Sequence, residues 1–292
     1  MPSGSSFAVR QTPSLFCIVL NWNGWPDTIQ CLASLANQNY PNLQIVVVDN
    51  HSTDDSVAQI QSAFPNVLIL NSPENGGFAK GNNIGIRHAM AAGADFVWLL
   101  NNDTIAPPDT ASALIEKAIA APQAGAVGTV LYFMDSPANI QAWGGGRISL
   151  WHGYSSHFTQ PATLDDGTFL TGASLLLRTA ALQQVGLLDQ IFFMYSEDSD
   201  LCFRLRRAGW QLVVAEHTAV LHKENATSGK KSPRMDRYSA ASGVIFLKRY
   251  APIPTIAVGL YLASRLGNRI RRREWDRFQA VLQGLRDARQ RR

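Results

Sequence analysis

The segment Asp95-Phe96-Val97-Trp98-Leu99-Leu100-Asn101-Asn102-Asp103 decides how this chain is read. Its middle is an unbroken apolar run, the pattern of a strand buried on both faces. It ends on two amides and a carboxylate, and Pro107-Pro108 follows, so the backbone turns away there. In open α/β sheets, ligands gather at the carboxyl ends of the strands. A carboxylate flanked by amides at such a place suits a divalent cation that also holds a phosphate. The same residues suit an Asx turn closing the strand. The local sequence admits both, and the flanking segments decide between them.

Upstream, residues 16–21, 44–49 and 67–70 read as strands, the second carrying Ile-Val-Val-Val without polar alternation. Between them, residues 26–37, 54–64 and 78–92 read as helices. Proline opens the first, Ser52, Thr53 or Asp54 caps the second, and Gly93 ends the third. A fourth helix is expected over 108–121. Such a βαβα series predicts a mixed, mainly parallel sheet with helices on both faces, an α/β fold. The second half changes character. Residues 124–133, 146–157 and 168–178 read as strands of a smaller, partly antiparallel region. A helix over 198–208 ends at Gly209 and a strand over 211–215 follows, while 233–250 and 254–290 are helical in pattern. The expected organisation is a loose N-terminus (1–14), one α/β domain (15–230) and a helical, basic C-terminal extension (231–292).

The chain of 292 residues is 46% hydrophobic and 16% charged, which describes a globular protein able to bury a large core. Its net charge of +4 is unevenly placed: residues 265–292 carry ten Arg and three acids, a net +7, so the remainder is near −3. The tail has few interleaved aromatics beyond Trp275 and Phe278, so no nucleic-acid partner is expected. Residues 253–264 are apolar but contain Pro254, and a stretch of about twelve residues is too short to span a bilayer. An apolar helix followed by arginines resembles an interfacial anchor on anionic lipid; a helix packed on the body with a solvated basic end fits the same residues. Cys17, Cys31 and Cys202 show no metal or redox spacing and are expected as buried thiols of a cytoplasmic protein, peripheral on the inner membrane if the tail docks there. No apolar signal core occupies the first fourteen residues.

Four features carry chemistry. The first is recurrence: one strand ends in Asn21-Trp22-Asn23-Gly24, the next in Asp49-Asn50-His51-Ser52, and a third in Asn101-Asn102-Asp103. Parallel strands place all three ends on one edge, where carboxylates and amides commonly read a nucleoside. The second is Asn75-Gly76-Gly77-Phe78-Ala79-Lys80-Gly81-Asn82-Asn83, a strand-to-helix loop whose amides and Lys80 are placed to approach a phosphate, although it matches neither dinucleotide nor NTPase loops. The third is Ser196-Glu197-Asp198-Ser199-Asp200 after the apolar Ile191–Tyr195 run. Acids at a helix N-terminus suit the helix dipole, and a carboxylate near apolar groups is also suited to be a general base. The fourth is His222, after Ala219-Val220-Leu221; a lone histidine there is structural or a ligand.

Taken in order, Val19–Asn23, Val47–Asp54, Asn75–Asn83, Asn101–Asp103, Thr171-Gly172-Ala173, Val185–Asp189 and Phe192–Gly209 resemble inverting nucleotide-sugar glycosyltransferases of family 2, especially rhamnosyltransferase-like bacterial enzymes of surface-polysaccharide assembly. The resemblance implies the GT-A fold, a divalent cation (Mg2+ or Mn2+) and a nucleoside-diphosphate sugar donor such as dTDP-rhamnose. It implies a glycan or polyprenyl-linked acceptor. It implies Asp49 on the nucleobase, with Asn21, Asn23, Ser52 and the loop residues Asn75, Gly77, Lys80, Gly81 and Asn82 nearby. Asn101-Asn102-Asp103 takes the place of the family's Asp-x-Asp, so Asp103 and His222 become metal ligands while Asn101 and Asn102 border the donor. Asp198 becomes the base, Glu197 its support, and Gly172 part of the acceptor side. Asn101 departs from the family pattern, which removes one carboxylate from the metal shell and predicts weak metal binding until a donor diphosphate adds its oxygens. Two other classes compete. A nucleotidyltransferase is disfavoured by the lack of a basic residue in Trp22-Asn23-Gly24-Trp25, and a non-catalytic binding module by the presence of Glu197 and Asp198.

Overall fold

The computed structural model describes residues 12–223 and 232–291. The amino half is built from β1 (Leu15–Asn21), α1 (Trp25–Leu35), β2 (Leu43–Asp49), α2 (Ser56–Ala63), β3 (Leu68–Asn71), α3 (Gly77–Ala91), β4 (Phe96–Asn101), β5 (Thr104–Ile105) and α4 (Thr110–Ala120). The rest comprises β6 (Ala124–Phe133), β7 (Ser136–Trp143), β8 (Gly145–Ile148), β9 (Ser155–His157), β10 (Thr168–Leu170), β11 (Ser174–Arg178), α5 (Thr179–Val185), α6 (Glu197–Arg207) and β12 (Gln211–His222). It closes with α7 (Pro233–Tyr250), α8 (Pro254–Arg271) and α9 (Trp275–Gln290).

The main sheet runs β3-β2-β1-β4-β11-β6-β12-β5, with β7 paired to β6. β1 lies between β2 and β4, both parallel to it, so Asn21 aligns with Asp49 and Leu20 with Asn101. Successive residues of a strand face opposite sides of the sheet. In β1, Phe16 and Ile18 enter one core with α3, α5, α6 and α7, whereas Leu15, Cys17 and Val19 enter another with α1, α2 and α4. Both faces are covered, which explains the apolar runs without alternation. Trp98 in β4 is fully buried, and its indole N–H donates to Ser174 Oγ at 3.0 Å across the antiparallel β4–β11 pairing.

Several elements depart from the expected pattern. The 168–178 run is two strands, broken at Thr171-Gly172-Ala173, and 146–157 is two strands of a separate sheet ordered β10-β8-β9. β12 continues past Ala215 to His222 through a register shift between Ala215 and Ala219, so His222 is the last strand residue and pairs with Thr104. The 254–290 helix is interrupted by Arg273, whose φ of 56° reverses the chain between α8 and α9. Cys17, Cys31 and Cys202 are buried thiols, as expected.

The C-terminal extension packs onto the α/β body. Ala241, Val244, Phe246 and Leu247 of α7, Ala257 and Tyr261 of α8 and Ala288 of α9 share a core with Leu201–Leu205 of α6. Asp200, wholly buried, accepts from the Arg204 Nε at 2.7 Å, the Arg249 Nη1 at 2.5 Å and the Tyr250 hydroxyl at 2.7 Å, tying α7 to α6. At the other end, the expected loose stretch 1–14 is in part outside the described residues (1–11). Pro13 and Ser14 are held, with the Tyr40 hydroxyl donating to Pro13 O at 2.7 Å and Ser14 N–H to Asp95 Oδ2 at 2.8 Å. The expected boundary at 230/231 also lies outside the described residues.

Candidate active site

Parallel pairing brings the polar strand ends together, and there they bind one another. Asn21 Nδ2 donates to Asp49 Oδ1 at 2.9 Å and to Ser52 Oγ at 3.1 Å, while its Oδ1 accepts from Thr28 Oγ1 at 2.8 Å. Asp49 also accepts from the Ser52 hydroxyl at 2.6 Å and the Ser52 N–H at 2.9 Å. Asn23 closes the array: its N–H donates to Ser52 Oγ at 2.9 Å and its Oδ1 accepts from Thr53 N–H at 2.8 Å. Asn21 and Asp49 are buried, at 0% and 4% exposure, and neither Asn21, Asn23, Asp49 nor Ser52 lines the cleft. In the structure these residues form one hydrogen-bonded array at the strand ends.

What reaches the cleft from this edge is Trp22, Asn50 and Asn75. Asn50, not singled out from the sequence, pins the Gly-rich loop: its Nδ2 donates to Asn75 Oδ1 at 3.1 Å and its Oδ1 accepts from Gly76 N–H at 3.1 Å. Gly77 sits at φ +77°, and a Cβ there would lie 2.0 Å from Phe193 O, so only glycine fits. Phe78 N–H then donates to that same Phe193 O at 2.7 Å, coupling the loop to the segment leading into α6. Lys80, Gly81 and Asn82 lie within α3. Lys80 pairs with Glu74, Gly81 packs under Leu20, and Asn82 donates within α3 to Phe78 O at 3.0 Å. Helix α3 begins at Gly77, and these three residues fall in its first two turns.

At the end of β4, Asn102 Nδ2 donates to Thr28 Oγ1 at 3.0 Å, and Asn101, Asn102 and Asp103 all line the cleft. His222 Nε2 lies 3.2 Å from Asp103 Oδ1 and 3.3 Å from Asn101 Nδ2. Its Nδ1 lies 2.7 Å from Gln141 Oε1, which fixes the proton on Nδ1 and presents the Nε2 lone pair toward the carboxylate. A bare imidazole nitrogen beside a carboxylate oxygen, the imidazole held from behind by an amide, is a donor set that fits a divalent cation. Among the described residues no group of three or more His, Cys, Asp or Glu could hold a metal, so this pair offers only two protein ligands.

Asp198 stands on the first turn of α6, after Tyr195 and Ser196, two consecutive non-glycine residues at φ 71° and 69°. The break between β10 and β11 turns the Gly172 N–H toward it: Gly172 donates to Asp198 Oδ2 at 3.0 Å, and Ser199 N–H donates to Oδ1 at 2.6 Å. Burial pushes the Asp198 carboxyl above the ordinary aspartate range, with the Gly172 and Ser199 donors pulling the other way. Glu197 is buried, its Oε2 has no hydrogen-bond partner, and burial followed by repulsion from Asp198 raises its carboxyl well above the usual range. Of the two neighbouring carboxyls, Glu197 is the more deeply buried and the more strongly raised. His157, not singled out by the sequence pattern, also lines the cleft, where a protonated ring would favour ionised Asp198.

Asn50, Asn75, Asp103, His222, Gly172 and Asp198 line one cavity of about 820 Å³, to which α7 and α8 also contribute residues. Arg234 at the start of α7 stacks over Trp22 at 4.4 Å. Nothing in the sequence pattern marks α8 as part of the site, because its contribution depends on how the helix folds back.

A mainly parallel sheet whose polar strand ends meet a His–carboxylate pair and a carboxylate on an opposing helix is an architecture of GT-A type. Residues 13–240 match the family model described as "Glycosyltransferase like family 2", and the chain belongs to that family and is a glycosyltransferase. It is 30% identical over 245 residues to the N-acetylglucosaminyl-diphospho-decaprenol L-rhamnosyltransferase of Mycobacterium tuberculosis, an alignment that covers 75% of this chain and 79% of that one. It is 25% identical over 235 residues to the O-antigen biosynthesis protein RfbC of Myxococcus xanthus, covering 76% of this chain and 18% of that one. Among solved structures it resembles the mannosyltransferase PcManGT of Pyrobaculum calidifontis, determined with GDP-Man and Mn2+. The TM-score is 0.61 at 19% identity, over 96% of this chain and 76% of that one, which establishes the GT-A fold.

Proposed function

We propose that the chain is a metal-dependent inverting glycosyltransferase that moves a sugar, dTDP-rhamnose being the first donor to try, onto a polyprenyl-linked glycan acceptor. The observation that carries this reading is Asp198: a half-buried carboxylate of raised basicity, oriented by the Gly172 N–H, in the same cavity as the Asp103–His222 pair. The printed name of the mycobacterial relative supports the sugar and the acceptor class, and the Mn2+ of the mannosyltransferase supports a metal.

In this reading Asp198 takes the proton from the acceptor hydroxyl as its oxygen bonds to the anomeric carbon. The bond to the donor diphosphate breaks with its electron pair on the departing oxygen. One displacement inverts the anomeric centre, which needs a single base rather than a second carboxylate placed as nucleophile. Glu197, buried beside Asp198, supports it. Asp103 and His222 would hold the divalent cation, which when bound supplies charge stabilisation to the leaving diphosphate. Trp22, Asn50 and Asn75 line the nucleotide end. The protein works on the cytoplasmic face of an anionic membrane, a reading supported by exposed Ile253, Ile256, Leu260 and Trp275 and checked by sedimentation with phosphatidylglycerol vesicles at low salt. No helix among the described residues is long and apolar enough to cross a membrane.

A thermal-shift panel of nucleoside diphosphates and sugar nucleotides, with and without Mn2+ or Mg2+, tests the donor assignment. Stabilisation grows with ligand concentration over Kd. The expected result is a nucleotide shift that depends on the metal; a panel in which no nucleoside diphosphate stabilises the protein would remove the reading.

A further inference from the structure

We propose that the arginines of α8 and α9 form a diphosphate subsite for the acceptor, a prenyl-diphosphate-linked sugar whose anionic bridge enters the cleft beside Asp198. This rests on the glycosyltransferase reading and adds the part of the acceptor that the enzyme grips. Arg265, Arg269, Arg272 and Arg277 all line the cavity that holds Asp198. Buried Asp236 gathers three of them, accepting from Arg269 Nη2 at 2.9 Å and Arg277 Nε at 2.5 Å with Arg265 Nη1 at 3.6 Å, and Glu274 accepts from Arg269 Nη1 at 2.6 Å. Four guanidiniums face two carboxylates, an excess of two positive charges, and a diphosphate diester carries two negative ones. The Nε atoms of Arg265 and Arg269 are buried without a hydrogen-bond partner, so the cluster has donors that its own carboxylates leave unused.

The position points to the acceptor rather than the donor. The donor's diphosphate belongs with Asp103 and His222 at the ends of β4 and β12. α8 instead bonds to α7 and to the turn after β8: Arg265 Nη1 donates to Ser239 Oγ at 2.9 Å, and Ser264 Oγ lies 2.6 Å from the Tyr154 hydroxyl. The same cavity is lined beside the arginines by Ile148, Tyr154 and Tyr261, apolar and aromatic side chains suited to the first part of an isoprenoid chain. Both α8 and α9 lie beyond residue 240, where the family match stops, while Asp236 lies within it.

The test is binding of farnesyl diphosphate in EDTA, followed by calorimetry, against farnesol and against the nucleoside diphosphate that the thermal-shift panel ranks first, given with Mn2+. Arg272 is exposed at the end of α8, so Arg272→Gln leaves the Asp236 network intact; Arg265→Gln with Arg272→Gln is the stronger variant. In the double variant farnesyl diphosphate binding weakens by about tenfold or more, while nucleoside diphosphate binding stays within about twofold and shows that the protein is folded. Unchanged farnesyl diphosphate affinity would make the cluster purely structural. Equal loss of both ligands would give the arginines to the donor, and loss only of binding to phosphatidylglycerol vesicles would give them to a membrane headgroup; each overturns the proposal. Failure of the enzyme reading is separate: the wild-type protein would then bind no nucleoside diphosphate with Mn2+, whatever the farnesyl diphosphate result.

Discussion

The two walls of the cleft are built on opposite principles. On the strand-end wall the polar groups bind each other: Asn21, Asp49, Ser52 and Asn23 close a hydrogen-bonded array in which Asn21 and Asp49 are buried. On the helical wall, Glu197 Oε2 and the Nε atoms of Arg265 and Arg269 are buried and unpaired. Unsatisfied buried groups cost free energy unless something else answers them. In the proposed reading the strand edge is a scaffold between the nucleotide and the Asp103–His222 pair, and α6, α8 and α9 meet the acceptor. The Asp103–His222 pair stands between the two, since Gln141 holds one side of the imidazole and the other faces a carboxylate.

The comparison can be broken most severely at Asp198. Asp198→Asn keeps the shape but removes the base, and turnover is expected to fall by roughly 10²–10⁴-fold with donor affinity retained, measured by steady-state transfer and donor titration. Gly77→Ala probes the seam between the walls: a Cβ 2.0 Å from Phe193 O at φ +77° is expected to destabilise the protein by about 2–4 kcal/mol in urea unfolding. Full stability in that variant would mean that the Gly77–Phe193 contact does not hold the walls together. Asn101→Asp adds the carboxylate that the metal shell lacks. Metal affinity without donor, read by calorimetry, is expected to rise roughly tenfold, and tight metal binding by the unaltered, donor-free enzyme would contradict the two-ligand account.

The smallest effect is expected from Glu197→Gln. Because its carboxyl is raised in the folded state, Glu197 contributes stability that is full below the ordinary glutamate pKa and lost as pH rises through the folded value. Glutamine removes that loss. The variant should match the wild type near about pH 4 and melt higher than it at alkaline pH; equal melting temperatures across the range would mean Glu197 ionises normally.

The sheet was legible in the sequence because burial on both faces leaves an unmistakable trace: Phe16–Val19, Val46–Val48 and Phe96–Leu100 carry no polar residue. The polar strand ends and the Glu197-Asp198 pair were legible for the same reason, as polar residues abruptly following apolar runs. What they do there was less so. Whether Asp49 faces a ligand or Ser52 depends on side-chain geometry that spacing does not encode. The breaks at Gly172 and Arg273 were hidden because each lies inside a pattern that continues on both sides. The basic tail was misleading as a solvated surface: Arg265, Arg269 and Arg277 turn inward because Asp236, more than twenty residues upstream, lies beneath them. A charge count cannot anticipate a partner on another helix.

The central claim is that Asp198, raised by burial and oriented by Gly172, is the base. The pH dependence of kcat/KM tests it most directly. A base must be ionised to work, so a raised pKa moves the acid limb upward: activity is expected to fall away at a pH above the ordinary aspartate value of about 3.9. That limb should be missing from the residual activity of Asp198→Asn. An unchanged limb in the variant, or turnover close to that of the wild type, would show that another group takes the proton.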